Sequence, residues 1–193
     1  MLRKLYDYTM ALAARPRAKS FLAAISFIES SVFPIPPDVM LIPMVLAKRH
    51  EAWRIAAICS LFSVLGGVVG YMIGYSFFEL VGNEIMAFYG YEGKFASFSA
   101  AYDEWGGWIV AFFGLTPFPY KVITIASGAV KLNFAVFMLA SVLSRSARFF
   151  LVAWLLKKYG APIRVFIEKY LGLLTIVFFV ILFGTFVVLK YML

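Results

Sequence analysis

Two apolar stretches of this chain, residues 21–47 and 107–130, are each long enough to cross a bilayer, and each is cut near its middle by prolines. Pro34, Pro36 and Pro37 fall within four positions of the first, with Pro43 further on; Pro117 and Pro119 interrupt the second. A proline inside a helix removes a backbone donor and clashes with the preceding turn, so each stretch predicts two short helices rather than one long one. In the first they cover about 21–32 and 38–47, and neither reaches the roughly 20 residues that the hydrocarbon core requires. The expected form is a helical hairpin that enters and leaves on one side, a re-entrant hairpin.

Composition sets these hairpins in a membrane. Of the 193 residues, 63% are apolar and only 15% charged, against about 45–50% and 25% in soluble domains. Three uninterrupted stretches, 55–78, 134–156 and 171–190, read as full transmembrane helices. Residues 1–19 carry Arg3, Lys4, Arg15, Arg17 and Lys19 among Leu2, Leu5, Tyr6, Met10 and Leu12. That pattern predicts an interfacial amphipathic helix and no cleavable signal peptide. The fold class expected is therefore an all-α integral membrane protein of one domain, 1–193: three transmembrane helices, two inverted re-entrant hairpins and the N-terminal helix.

Charge placement supports the hairpins. The connector 79–106 is acidic (Glu79, Glu84, Glu92, Asp103 and Glu104 against Lys94), whereas Lys48, Arg49 and Arg54 follow the first hairpin and Lys157, Lys158, Arg164 and Lys169 lie between the last two spans. With both broken stretches as hairpins, every large basic cluster falls on one side, as the positive-inside rule prefers. The N-terminus is then cytoplasmic and the C-terminus outside. The net charge of +8 suits anionic headgroups. Because the basic residues sit at segment ends and form no solvated face, nucleic acid is excluded as a partner. Cys59 and His50 are the sole members of their types, which leaves no Cys/His metal cluster. His50, in the polar run Lys48-Arg49-His50-Glu51, reads as an interfacial histidine rather than a catalytic base. No catalytic residue and no cofactor is assigned.

A repeat links the two hairpins. Pro34-Ile35-Pro36-Pro37-Asp38-Val39 matches Pro117-Phe118-Pro119-Tyr120-Lys121-Val122 at an offset of 83, which also relates Lys48 to Lys131. Repeats entering from opposite sides, with broken helices meeting near the midplane, are a frequent plan of secondary transporters. The repeats carry opposite charges, Asp38 and Lys121, which are expected to pair where the halves meet.

Five ionisable residues lie inside apolar runs: Glu29, Asp38, Lys121, Arg145 and Arg148. Each costs roughly 2.5–3.5 kcal/mol at a helix centre, so they face protein or water and are the candidate transport residues. The alternative is a structural salt-bridge cluster pinning the hairpins. Three cations against two anions leave an excess positive charge, which a closed cluster tolerates poorly unless water or an anion reaches it. Arg145 and Arg148, three apart, share one helix face and suit phosphate. Asp38, at a helix start, is also a candidate cap; Glu29, in a low-dielectric turn, is a candidate proton carrier. Gly66, Gly70 and Gly74 line one face of the first span and predict close helix packing, within the chain or in a homodimer.

Glu29 with Pro34-Ile35-Pro36-Pro37-Asp38, followed by Gly66-Gly67-Val68-Val69-Gly70-Tyr71-Met72-Ile73-Gly74, resembles the DedA family of bacterial inner-membrane proteins, which share the VTT domain. Leu115-Thr116-Pro117-Phe118-Pro119-Tyr120-Lys121, Ile125-Ala126-Ser127-Gly128 and Arg145-Ser146-Ala147-Arg148-Phe149-Phe150 resemble its YqaA-like branch. The likeness covers about residues 20–156. It implies re-entrant hairpins, dependence on protons or membrane potential, and lipid transport, with the family's acidic residues falling on Glu29 and Asp38. The chain departs from the family where Gly114-Leu115-Thr116 and Lys121 stand in place of arginines, and where Tyr71 stands in place of a frequent aspartate. The leading reading is a flippase or scramblase for an anionic phospholipid or polyprenyl phosphate, with proton coupling. A proton-coupled antiporter of small ions or solutes and a non-transporting envelope-assembly factor are the alternatives, ahead of an enzyme.

Overall fold

The computed structural model describes residues 17–32, 36–82, 92–116 and 119–160, together with the isolated residues 84, 86, 88, 90 and 162. Contacts divide the chain into two units, Met1–Lys157 and Lys158–Leu193. The second lies almost wholly outside the described residues, as do the span expected at 171–190 and most of the N-terminal amphipathic helix.

Among its described residues the first unit is built of helices, with no strand. Helix α1 (Ala18–Ser31) and helix α2 (Asp38–Ala47) flank the first proline break. A single 3₁₀ turn (Arg49–Glu51) leads to α3 (Ala52–Phe77), which continues as a π-helical turn through Gly82. Then come α4 (Glu92–Leu115), α5 (Tyr120–Ala129) on the far side of the second break, and α6 (Phe134–Tyr159). Among the described residues, two helices are long and apolar enough to cross a membrane, Arg49–Gly82 and Phe134–Tyr159.

Both breaks fall where the prolines require them. α1 ends as the Val32 amide bonds back to Ile28 at 2.8 Å, and α2 restarts on the Pro37 carbonyl, which accepts from Met40 and Leu41 at 3.0 and 2.9 Å. Pro37 and Pro119 occupy the positions before α2 and α5, where a missing amide proton has no helical partner to lose. Pro34 and Pro117 lie outside the described residues. α2 and α5 are each ten residues long, as the repeat implies. The second break differs in its approach. Where the sequence reads as an acidic connector up to residue 106, the chain is already helical from Glu92. Asp103 and Glu104 are exposed on the same helix whose later residues carry exposed Trp105, Trp108 and Phe112. A helix can run from water into an apolar layer without interruption, because its backbone is satisfied in both.

α3 is the hub, with both α1 and α5 packed against it. Its glycine face is what lets them in. A Cβ on Gly66 would strike the Phe27 carbonyl of α1, and one on Gly74 would strike the Ile125 carbonyl of α5. At Gly70 the two neighbours meet, since a Cβ there would overlap Thr124 Oγ1 and stand 3.1 Å from the Ser30 carbonyl. The face is therefore filled within the chain. α6 docks on larger side chains: Phe137 and Phe134 lie 5.0 and 5.4 Å from the Tyr71 ring, centroid to centroid. The Tyr71 hydroxyl donates to the Leu132 carbonyl at 2.6 Å in a buried setting, fixing the turn between α5 and α6. Tyr71→Phe keeps the ring and orphans that carbonyl, an omission worth about 1–2 kcal/mol. Thermal unfolding in detergent should show a midpoint lower by about 2–8 °C.

Candidate functional site

The proline breaks bring four helix ends beside the middle of α3 and α6, and the charged residues of the apolar runs gather there. Glu29 sits in the last turn of α1. Its Oε2 accepts from Arg145 Nη2 at 2.9 Å and from Ser30 Oγ at 3.0 Å. Arg145 Nε donates to Ser63 Oγ of α3 at 2.6 Å, and Ser63 closes the ring with Ser30 Oγ at 2.7 Å. Arg145 is fully buried. Its guanidinium carbon lies 4.6 Å from the Tyr120 ring and 4.8 Å from the Phe149 ring, and among the described residues its Nη1 has no hydrogen-bond partner. Cation–π contact partly replaces the missing acceptor. Tyr120 is held in turn by a 2.5 Å bond from its hydroxyl to Ser141.

One turn further along α6, Arg148 reaches both proline breaks. Its Nη2 donates to Asp38 Oδ2 at 2.5 Å, and its Nη1 donates to the Thr116 carbonyl at 3.1 Å. Asp38 opens α2 but makes no side-chain cap there; its carboxylate is spent on the arginine. The Thr116 carbonyl belongs to the unsatisfied C-terminal turn of α4, the partially negative end of the helix dipole. Lys121 plays the matching part at the second break, donating to the Val32 carbonyl at the end of α1 at 3.2 Å. Beside it Thr124 Oγ1 donates to the Ser30 carbonyl at 3.2 Å. Each broken helix thus ends on a cation.

The pairing differs from the one the repeat predicts. Asp38 and Lys121 do not pair with each other: Asp38 takes Arg148, and Lys121 takes a backbone carbonyl. Helix α6 passes both breaks and offers two longer, forked side chains, so its arginines reach the carboxylates first. The five predicted residues are brought into one region through Arg145, Arg148 and the helix ends at the two breaks. Neutral residues complete it that the charge pattern did not mark: Ser30, Ser63, Thr116, Tyr120 and Thr124. The one available signal was that Ser63 stands one turn before Gly66 on the glycine face, and Tyr120 directly before Lys121. The arrangement holds two neutralised ion pairs, one cation with no carboxylate among the described residues, and one spare guanidinium donor.

The chain matches the sequence model of the VTT domain over residues 35–158. It is 39% identical over 168 residues to an uncharacterised protein of Haemophilus influenzae, covering 85% of this chain and 87% of that one. It is also 38% identical, over the same shares, to an uncharacterised protein of Histophilus somni. No solved structure matches it.

Proposed function

Given that the chain belongs to the VTT-domain (DedA) family, whose members are membrane proteins of transporter type, we propose that it moves an anionic lipid across a bacterial inner membrane, as a proton-coupled flippase or scramblase of the YqaA-like branch. In this reading the N-terminus is cytoplasmic and the C-terminus periplasmic. The two broken segments are re-entrant hairpins from opposite faces. Helices α2 and α5, ten residues each, rise about 15 Å at 1.5 Å per residue, half of the roughly 30 Å core. Their tips then meet at the midplane.

The observation that carries the reading is the charge balance of that meeting point. Glu29 neutralises Arg145 and Asp38 neutralises Arg148, while Lys121 is half-buried and, among the described residues, bonds the Val32 carbonyl and no carboxylate. An anion is the natural counterpart of the remaining charge. A proton arriving at Glu29 or Asp38 removes the competing carboxylate, and a phosphate can take its place on the arginine fork, a planar bidentate partner. The spare Nη1 of Arg145 supplies a further donor. Carboxylate and phosphate thus alternate on the same cations, which couples proton to lipid by exclusion.

The test is reconstitution into liposomes with fluorescent phosphatidylglycerol and a polyprenyl phosphate, comparing the wild type with Glu29→Gln and with Arg145→Ala/Arg148→Ala. Lipid movement should fall to the protein-free rate in Arg145→Ala/Arg148→Ala and should lose its dependence on a proton gradient in Glu29→Gln. Equal movement in all three would overturn the proposal. Proton movement with no dependence on lipid headgroup would assign the chain to small-ion antiport instead, and no movement of either would leave a role in envelope assembly.

A further inference from the structure

Away from the ion pairs, a groove of about 680 Å³ runs along the outer seam between α1 and α3. Its floor is made by small residues, Ala23 and Ala24 of α1, and its walls by Phe27 of α1 and Ile58 and Phe62 of α3, with Lys19 at one end. From Lys19 the α1 side of the lining follows the four-residue helix repeat inward, 19, 23 and 27. The α3 side does the same through 58 and 62. One turn before Ile58 on that same face stands Arg54, which is exposed and has no carboxylate partner among the described residues. Lys19 is tied to Glu51 by a 2.5 Å ion pair, and the pair draws the turn with Lys48, Arg49 and His50 to the same end. The groove is apolar along its length and cationic at one mouth.

We propose that this seam is a binding site for an anionic glycerophospholipid, with one acyl chain lying in the groove and the phosphate on Arg54 beside Lys19. The charge favours that occupant. At the mouth, Lys19 and Glu51 cancel, and Lys48, Arg49 and Arg54 remain, so a negative headgroup is drawn there and a neutral one is not. The shape agrees, because the small floor of α1 leaves room for a chain where larger side chains would close the seam. The site is separate from the Glu29–Arg145 and Asp38–Arg148 pairs and stands whether or not those pairs transport lipid.

Native mass spectrometry of the detergent-released full chain with added phosphatidylglycerol or phosphatidylcholine tests it. The wild type should retain phosphatidylglycerol in preference to phosphatidylcholine. Arg54→Gln should weaken phosphatidylglycerol retention about fivefold and leave phosphatidylcholine unchanged. Ala24→Phe, at an exposed floor position, should abolish retention with the unfolding midpoint preserved; Glu29→Gln should leave it untouched. Equal retention of both lipids by the wild type would overturn the proposal. So would undiminished phosphatidylglycerol in Ala24→Phe, which means lipid lies elsewhere and the chain's own N-terminal residues cover the seam. A dimer that Ala24→Phe separates would give the groove to a second copy and likewise overturn it.

Discussion

Arg145→Met is expected to be the most damaging single substitution in the chain, and Glu29→Gln/Arg145→Met much less so. Taking away the arginine strands the Glu29 carboxylate in a buried position where its remaining partner is the Ser30 hydroxyl. Removing one member of a buried pair typically costs about 3–5 kcal/mol, since the desolvation of the survivor is no longer offset. The unfolding midpoint in detergent should fall by about 10 °C or more. The double variant removes both charges together and leaves the Ser30–Ser63 bond in place, so most of that loss should return. Transport should not return with it. That separation is the purpose of the pair of variants: a structural pin can be replaced by a neutral contact of similar volume, whereas a site that alternates between carboxylate and phosphate cannot. A double variant that moves lipid at the wild-type rate would make Glu29–Arg145 a pin.

The sequence carried the breaks, the packing face and the charged residues, because each rests on a local rule. Prolines in close succession end a helix, although Pro43 alone is carried inside α2; a glycine every four residues lines one face, and an ion in an apolar run must be sheltered. The partners of those ions were not local. Whether Asp38 meets Lys121 or Arg148 depends on the depth and rotation at which α6 passes the two breaks. Side-chain reach settles it: Arg148 extends to Asp38 and still touches the Thr116 carbonyl. The start of α4 was hidden for a different reason. Glu92 to Glu104 is polar, and a reading tuned to apolar length stops where the helix leaves the apolar layer, although the backbone does not. Ser30, Ser63 and Tyr120 carry no charge and no period of their own, so only the fold reveals that they hold Arg145.

Arg148→Lys should abolish lipid movement while leaving the fold nearly as stable as the wild type. The guanidinium of Arg148 bonds residues at both breaks, with one nitrogen on Asp38 of α2 and another on the Thr116 carbonyl at the end of α4. A lysine keeps the charge and can satisfy Asp38, so the carboxylate is not stranded and the midpoint should move by no more than about 2–4 °C. It cannot keep the two-armed geometry, because an ammonium is a point charge on a flexible stem, without a planar fork. The end of α4 then loses its cation, and a phosphate arriving in place of Asp38 finds a single donor where two were offered. Liposomes carrying the variant should show the protein-free rate of lipid flipping. The companion Asp38→Asn, which frees Arg148 without shortening it, should flip lipid with weakened dependence on a proton gradient. If Arg148→Lys flips lipid at full rate, charge alone is sufficient at this position, and the exchange of carboxylate for phosphate on a forked cation is not how the protein works.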